Sequence, residues 1–537
     1  MKKKEQENPI IKAMLKGYGE KFPSLEEFFS LTTSPEDLRR LLSPIPELGR
    51  YLNHVEFLGA VTSDLAYAKL RFRVMIEYFI CLCQTIGERS FENKEFLPRL
   101  TSEEIETLRA IEIGPNEVIQ AQFIETFTGH DTAAAGDFLK LLIPKKIPRL
   151  ANAIEGVHFA ATSEDVIGNV TGLMANNLIY HHLLPKIIDF WIFTIDWSQK
   201  WQQDGKGSLI LPAFTHKQSA EPTTQNKMIS VPLYSTVTWI GMLIHPMIPK
   251  FQPFSGKMGG AVGNGTCHFA AFPEFDWETI FRDFVEGFGL HYDKMTDQCS
   301  PYVMEGFILH IIDDMLGKMV KFGEDFCDLV SCPGQLFVKL KKKGQKGSSI
   351  MPGKTNLWGI EGALVMLRKA QSAIRFFISE LQNYPHQGNM ARSYLFRSLG
   401  GDLMPAFIAI DRITKELGAC VPSERNIEEC LKKYPGMCGS SLQTYLKAIG
   451  IKDDAYRLIQ EISINEDGSY ANAGEFKDRL QNVAKKLNLS SNIQERLIEL
   501  TEFSVLVAPA DRKAKLFIEE TRKDLAEFKK MCAQVKI

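Results

Sequence analysis

Cysteine is scarce in this chain, and none of it is arranged for metal or disulfide chemistry. The ten cysteines (Cys81, Cys83, Cys267, Cys299, Cys327, Cys332, Cys420, Cys430, Cys438 and Cys532) are scattered over 537 residues without one Cys-x-x-Cys pair. Neither a zinc site nor a disulfide framework is indicated, and a reducing cytoplasm is the expected compartment. An excess of one charge is also missing. Sixty-three Lys and Arg face sixty-five Asp and Glu, a formal charge of −2, which argues against a protein devoted to nucleic acid. Long apolar runs are rare. The stretch 231–249 carries no formal charge, but Pro232, Ser235, Thr236, Thr238, His245, Pro246 and Pro249 interrupt it, so it reads as a helix buried in a bundle and not as a membrane span. The start, Met1 to Pro9, is basic with no apolar core behind it, unlike a secretion signal. Strand signals are few, and no internal repeat or low-complexity segment stands out.

What is present is helical periodicity. Between Ser163 and about Trp201 apolar residues recur at spacings of three and four, with Val166, Val170, Leu173 and Met174 on one face. Thr162-Ser163-Glu164-Asp165 supplies hydroxyls followed by acids, a helix-start signal. Further long helices are predicted near 222–245, 276–290, 301–329 and 357–381. Several long helices joined by loops point to an extended bundle. The glycine-bearing loops 204–208 and 256–265 are either close approaches to a ligand or another chain, or plain turns between antiparallel helices. After about Asp402 shorter amphipathic helices alternate with polar turns such as 465–468. The reading is an all-α protein of three helical domains: 1–157, a central long-helix bundle over 158–401 carrying a loop at 344–357, and 402–537.

Three polar clusters lie far apart in sequence: Thr128-Gly129-His130-Asp131-Thr132, Phe214-Thr215-His216-Lys217-Gln218, and Gly347-Ser348-Ser349-Ile350-Met351-Pro352-Gly353-Lys354-Thr355-Asn356. The third follows Lys339, Lys341, Lys342, Lys343 and Lys346, whose field would draw in anions. Its Gly-Lys-Thr ending does not make a nucleotide-binding P-loop. That motif has four residues between its first glycine and the Gly-Lys pair, and here there are five. A loop of this composition can move, carry a hydroxyl into a site and hold an anion beside it.

Gly347–Asn356 resembles the signature of the fumarase/aspartase superfamily, whose members are all-helical homotetramers that release fumarate from succinyl compounds. Further segments are similar to the adenylosuccinate lyase family in its longer bacterial form. They are Gly49-Arg50-Tyr51, Phe72-Arg73-Val74, 124–131, 158–165, Thr215-His216-Lys217-Gln218, and 260–264 leading to His268 and 273–277. The resemblance runs in family order from about residue 43 to 400. It implies β-elimination of fumarate from adenylosuccinate, leaving AMP, and from the succinyl-carboxamide ribotide of purine synthesis. It implies no metal and no cofactor. The sites would be shared between chains of the tetramer, so that the three distant clusters meet from three subunits. Nucleic acid and membrane are not expected as partners.

The resemblance also assigns residues. Ser348 matches the catalytic serine that takes a proton from carbon, and His216 the general acid, oriented by Glu361. His130 matches a second site histidine. Lys354 and Asn356 match residues at the succinyl carboxylates, Thr128, Thr162 and Ser163 hydroxyl donors to the same part, and Asp131, in the same motif as His130, is expected to bind substrate. Gln298 matches a positioning glutamine. Arg50, Tyr51, Ser393 and Arg397 match contacts to the nucleotide phosphate. Departures stand beside these matches. Lys217 and Ser219 replace a glycine and a proline, Leu357 replaces a proline, and Gly353 a histidine. Gly388 stands where the family carries an arginine, a residue able to grip phosphate with two parallel hydrogen bonds. Arg392, or a lysine of the 339–346 run, would have to compensate.

Overall fold

The computed structural model describes residues 45–88, 90–91, 94–201, 208–244, 253–331, 334–389 and 391–537, with positions 16, 24, 34 and 41–43 before them. The basic start, the turn 204–207 and the end of the uncharged stretch at 245–249 lie outside the described residues.

Helices dominate. Pro46–Val55 (α1) and Asp64–Ile86 (α2) lead into Pro115–Thr128 (α3) and Asp131–Lys146 (α4). Ser63 caps α2 by accepting from Ala66 N, which satisfies one of the orphan donors of its first turn. The expected helix from Ser163 is present as Ser163–Asn176 (α5), a π turn at Asn177–Leu183, and Leu184–Gln199 (α6). Gln225–Met242 (α7), Val303–Val330 (α8), Trp358–Gln382 (α9) and Ala391–Gly418 (α10) complete the bundle, and Phe503–Cys532 (α11) packs back on α6 and α7.

Helices α8, α9 and α10 alternate in direction. Gly306 near the start of α8 lies against Gln382 at the end of α9, and Gly323 near the other end lies against Leu364 and Ile360. Gln371 donates to Asp313 O midway. Gly359, at the start of α9, touches Glu416 near the end of α10. The bundle therefore has two ends. One gathers the starts of α5, α8 and α10. The other gathers the end of α8, the start of α9 and the end of α10. At 1.5 Å per residue the 28 residues of α8 hold these ends roughly 40 Å apart.

The main core runs from Val55 to Cys532. Near the second end it is aromatic: Trp191 meets Phe322 at 5.7 Å between centroids and Trp197 meets Phe326 at 5.6 Å, all fully buried or nearly so. Each such side chain contributes about 1.5–3 kcal/mol by leaving water. A second, smaller core joins residues between Cys438 and Leu500.

The structure departs from expectation after Asp402, where shorter helices were expected but α10 runs through that position over 28 residues and α11 spans 30, and in one further element. The helix foreseen from 222 begins at Gln225, because Gln218–Thr224 pairs with Ile210–Thr215 as an antiparallel hairpin. Thr224 closes the hairpin and caps α7, accepting from Lys227 N at 3.2 Å. The uncharged stretch buries Leu233, Thr236 and Ile240 but exposes Val231, Tyr234 and Met242, so α7 is buried on one face only. No described helix is long and apolar enough to cross a membrane.

Candidate active site

At the first end of the bundle, His130 is the N-cap of α4, and its Nδ1 accepts from Thr132 N at 3.2 Å and Ala133 N at 3.5 Å. With that lone pair engaged, the proton of the neutral ring sits on Nε2, which is left to donate. Thr128 Oγ accepts from His130 N at 3.3 Å and so braces the same turn. Asp131 does not face outward. Its Oδ2 accepts from Arg71 Nη2 at 2.7 Å and from Arg397 Nη2 at 2.6 Å, while Oδ1 accepts from Thr132 N. Burial pushes this carboxyl up, but the two arginines outweigh it and hold it below the ordinary carboxylate range.

His130 and Ser163 line one hollow of about 410 Å³ with His158, Lys140 and Glu155. His158 was not singled out as a site residue, though it opens the 158–165 segment. Its backbone is left-handed, φ 62°, a conformation costing on the order of 1 kcal/mol for a non-glycine residue, and burial lowers its pKa. A strained, half-buried imidazole in a polar hollow is a candidate ligand contact.

The start of α5 is held by Asp165. This buried carboxylate accepts from Thr162 N (2.8 Å), Gly259 N and Gly260 N (both 3.0 Å), and pairs with the buried Lys257 Nζ at 2.9 Å. Lys257 also donates to Gln298 O at 3.0 Å. One network thus fixes Thr162, Ser163, the glycine-rich loop and the Gln298 backbone together. The close approach found in 256–265 is to this chain's own backbone, and not to a ligand or another chain as one reading had it: a Cβ on Gly263 would stand 2.0 Å from Thr296 O. Ser393 and Arg397 lie one turn apart on α10, Ser393 buried and Arg397 half exposed.

Arg392 cannot stand in for the arginine absent at Gly388. It is buried, ion-paired to Glu164 and bonded to Tyr302 OH at 3.2 Å, with burial lowering its pKa to about 10. Lys339 is engaged too, paired to Glu416 at 2.5 Å and donating to Asn356 O at 3.3 Å.

The second end carries the other two clusters. The loop 347–356 closes on itself through Asn356 N to Gly347 O (3.4 Å) and Lys354 N to Met351 O (3.1 Å). Ser348 is half-buried, and its Oγ accepts from Met351 N at 3.2 Å. A hydrogen bond into that oxygen favours its anionic form. Lys354 and Glu361 are exposed, Asn356 half-buried. Glu361 opens α9 facing Cys327 of α8, whose thiol is pushed up to about 11 by burial and then by this carboxylate.

His216 and Lys217 form the two-residue tip of the hairpin, at φ 52° and 63°, the positive pair of a type I′ turn. Lys217 Nζ reaches Asp328 at the end of α8, 2.9 Å away. Tyr51 bonds to Arg412, whose Nη2 donates to Trp358 O at 3.2 Å and whose Nε donates to Gly359 O at 3.3 Å, so Tyr51, with Arg50 beside it, sits by the start of α9. Arg412 was not foreseen. Its partners lie 53 to 361 residues away in sequence, and nothing local marks it.

Within one chain, then, Ser348, His216, Glu361, Lys354, Asn356, Arg50 and Tyr51 gather at one end, and His130, Asp131, Thr128, Thr162, Ser163, Gln298, Ser393 and Arg397 at the other. No hydrogen bond or ion pair joins His216 to Glu361 or Ser348 within the chain. Among the described residues no cluster of His, Cys, Asp or Glu could hold a metal.

Comparison with known proteins decides the family. The model of the lyase family matches residues 88–371, more than half of the chain. The chain belongs to the lyase family. The matched region takes in His130, His216, Ser348 and Glu361 and stops short of Ser393 and Arg397. An adenylosuccinate lyase of Buchnera aphidicola is 25% identical over 88% of this chain and 98% of its own length. One of Haemophilus influenzae is 26% identical, with the same coverage of both chains. The solved fumarate lyase of Mesorhizobium sp. BNC1 shares the fold, with a TM-score of 0.63 at 12% identity over 86% of this chain and 97% of that one.

Proposed function

We propose that this lyase cleaves a C–N bond by β-elimination, releasing fumarate from adenylosuccinate and leaving AMP in purine nucleotide synthesis, and that it acts as a homotetramer with shared sites. The observation that carries this is the serine loop. The half-buried Ser348 has its Oγ held by a backbone N–H beside an exposed, lysine-rich segment of a lyase-family chain whose similar relatives are adenylosuccinate lyases.

In the reaction, Ser348 removes the proton from the carbon beside a succinyl carboxylate. That electron pair becomes the C=C bond, the C–N bond breaks, and His216 gives its proton to the departing nitrogen. Glu361 of a neighbouring chain orients His216 and stabilises its charged form. Lys354 and Asn356 hold the carboxylates on which charge develops. Thr128, Thr162 and Ser163 donate to the succinyl group, aided by the positive end of α5. His130 donates through Nε2. Gln298 positions the substrate, and Arg50, Tyr51, Ser393 and Arg397 take its phosphate.

The test is fumarate formation from adenylosuccinate by purified protein, followed by its absorbance. Ser348→Ala is expected to lose at least about 10³-fold in kcat while still binding substrate in calorimetry. A wild-type rate in that variant would remove the base. A second reading, a lyase of the same superfamily with a substrate lacking phosphate, is favoured by the engagement of Arg392 with Glu164. Malate, aspartate and argininosuccinate offered beside adenylosuccinate separate the two.

A further inference from the structure

The loss at Gly388 cannot be repaired in place. Gly388 has φ 155°, and a Cβ there would lie 3.0 Å from Cys299 Sγ and 3.1 Å from Gln298 Oε1, so an arginine would be strained and crowded at that position. A second guanidinium reaches the neighbourhood from elsewhere. Arg71, on α2, and Arg397, on α10, converge on one oxygen of Asp131. Both stand over the ring of Tyr67, at 5.1 and 5.4 Å from its centroid, which fixes their planes. Two guanidiniums within bonding reach of a common oxygen are already in the geometry that grips an oxyanion. Asp131 neutralises one of them, which leaves one net cation within this group of three. Arg71 spends Nη2 on Asp131, and its Nε is buried with no partner, so one buried N–H of this guanidinium is left unsatisfied. It lines, with Arg397 and Asp131, a hollow of about 260 Å³. Asp64 and Glu125 line the same hollow. Their charge disfavours an anion inside it and confines one to the Asp131–Arg397 edge, beside His130.

We propose that Arg71 is the second phosphate-gripping guanidinium of this enzyme, doing from α2 what an arginine at position 388 would otherwise do. This rests on the nucleotide reading of the site. Asp131 is then an aligning residue: it holds Arg71 and Arg397 as a pair and does not itself touch substrate.

The experiment compares adenylosuccinate with the same compound lacking its 5′-phosphate. Arg71→Met is expected to raise KM for the nucleotide about 10-fold or more, to change kcat little, and to leave KM for the nucleoside unaltered. Arg71→Lys, which keeps a cation for Asp131 and guards against a folding failure, is expected to fall between. AMP binding to Ser348→Ala with and without Arg71→Lys, by calorimetry, reads the clamp independently of turnover. Equal AMP affinity, or an unchanged nucleotide-to-nucleoside KM ratio in an active variant, overturns the role of Arg71. A wild-type protein that binds AMP but releases no fumarate from either compound overturns the proposed activity and leaves the clamp standing.

Discussion

At the scale of single residues, the chain buries charge where the proposed chemistry does not use it. Glu305, on α8, accepts from Ser255 N at 2.9 Å and has nowhere to be solvated. Burial, and then the nearby Asp293, push its pKa from 4.5 to about 7. The folded pKa lies above the unfolded one, so the stabilisation from a protonated Glu305 is complete below about pH 4.5 and is lost as pH rises through 7. The cost of ionising it at pH 8 is about 3 kcal/mol. Glu305→Gln keeps the acceptor for Ser255 and cannot ionise. It is expected to be more stable than wild type at pH 8 by up to that amount, with the difference vanishing near pH 4.5, as read from urea midpoints at the two pH values. At this scale the sequence was legible where a residue's neighbours lie within its own segment. Ser348, Lys354 and Asn356 share ten positions, and His130 caps the helix it begins. Arg71, Arg412 and His158 were not, because their roles arise from Asp131, Tyr51 and a fold-imposed hollow, none of which their neighbours in sequence announce.

At the scale of elements, the long helices between 163 and 381 were readable because apolar residues repeat at the helical period over many turns, and the structure moves most of their ends by only a few residues, whereas α10 and α11 lie where shorter helices were expected. The hairpin 210–224 was not readable. It is short, carries Gln218, Glu221 and Thr223 on its second strand, and places two prolines opposite each other at Pro212 and Pro222, so neither alternation nor β-branched runs mark it. Yet it presents His216. Loops differ in what they tolerate, and two glycines show it. Gly263 has φ 77° and no room for a Cβ against Thr296 O. Gly263→Ala is expected to cost more than about 2 kcal/mol from strain and overlap together, and to lower activity by displacing the network of Asp165 and Lys257. Gly353 in the serine loop has nothing within 4 Å of a Cβ and an ordinary φ. Gly353→His, restoring the family residue, is expected to leave the melting temperature within about 1 °C. A matching loss of stability in both variants would refute the contrast.

At the scale of the whole molecule, the arrangement of the two ends dictates how a site can be assembled. His130, His216 and Ser348 of the three clusters lie 86 residues or more apart in sequence, and folding does not bring all of them together. It gathers two at one end of the bundle and leaves His130 and its neighbours roughly 40 Å away. No hinge within α8, α9 and α10 could close that distance, since the three helices are packed along their length. A site that uses both ends therefore draws them from different chains, which is the physical content of the shared-site proposal and was legible in the sequence only through family resemblance. The consequence is quantitative. His130→Asn and Ser348→Ala homotetramers are each expected to be inactive. Mixed at equal amounts, dissociated and reassembled, they form hybrids in which a site draws its His130 end from one chain and its Ser348 end from another. If chains associate at random, half of the first and half of the second contributions are intact, and about a quarter of wild-type activity returns. Recovery near zero after verified subunit exchange would mean that each site is built from one chain, against the geometry of the bundle. Recovery near a quarter would tie the separation of the ends directly to function.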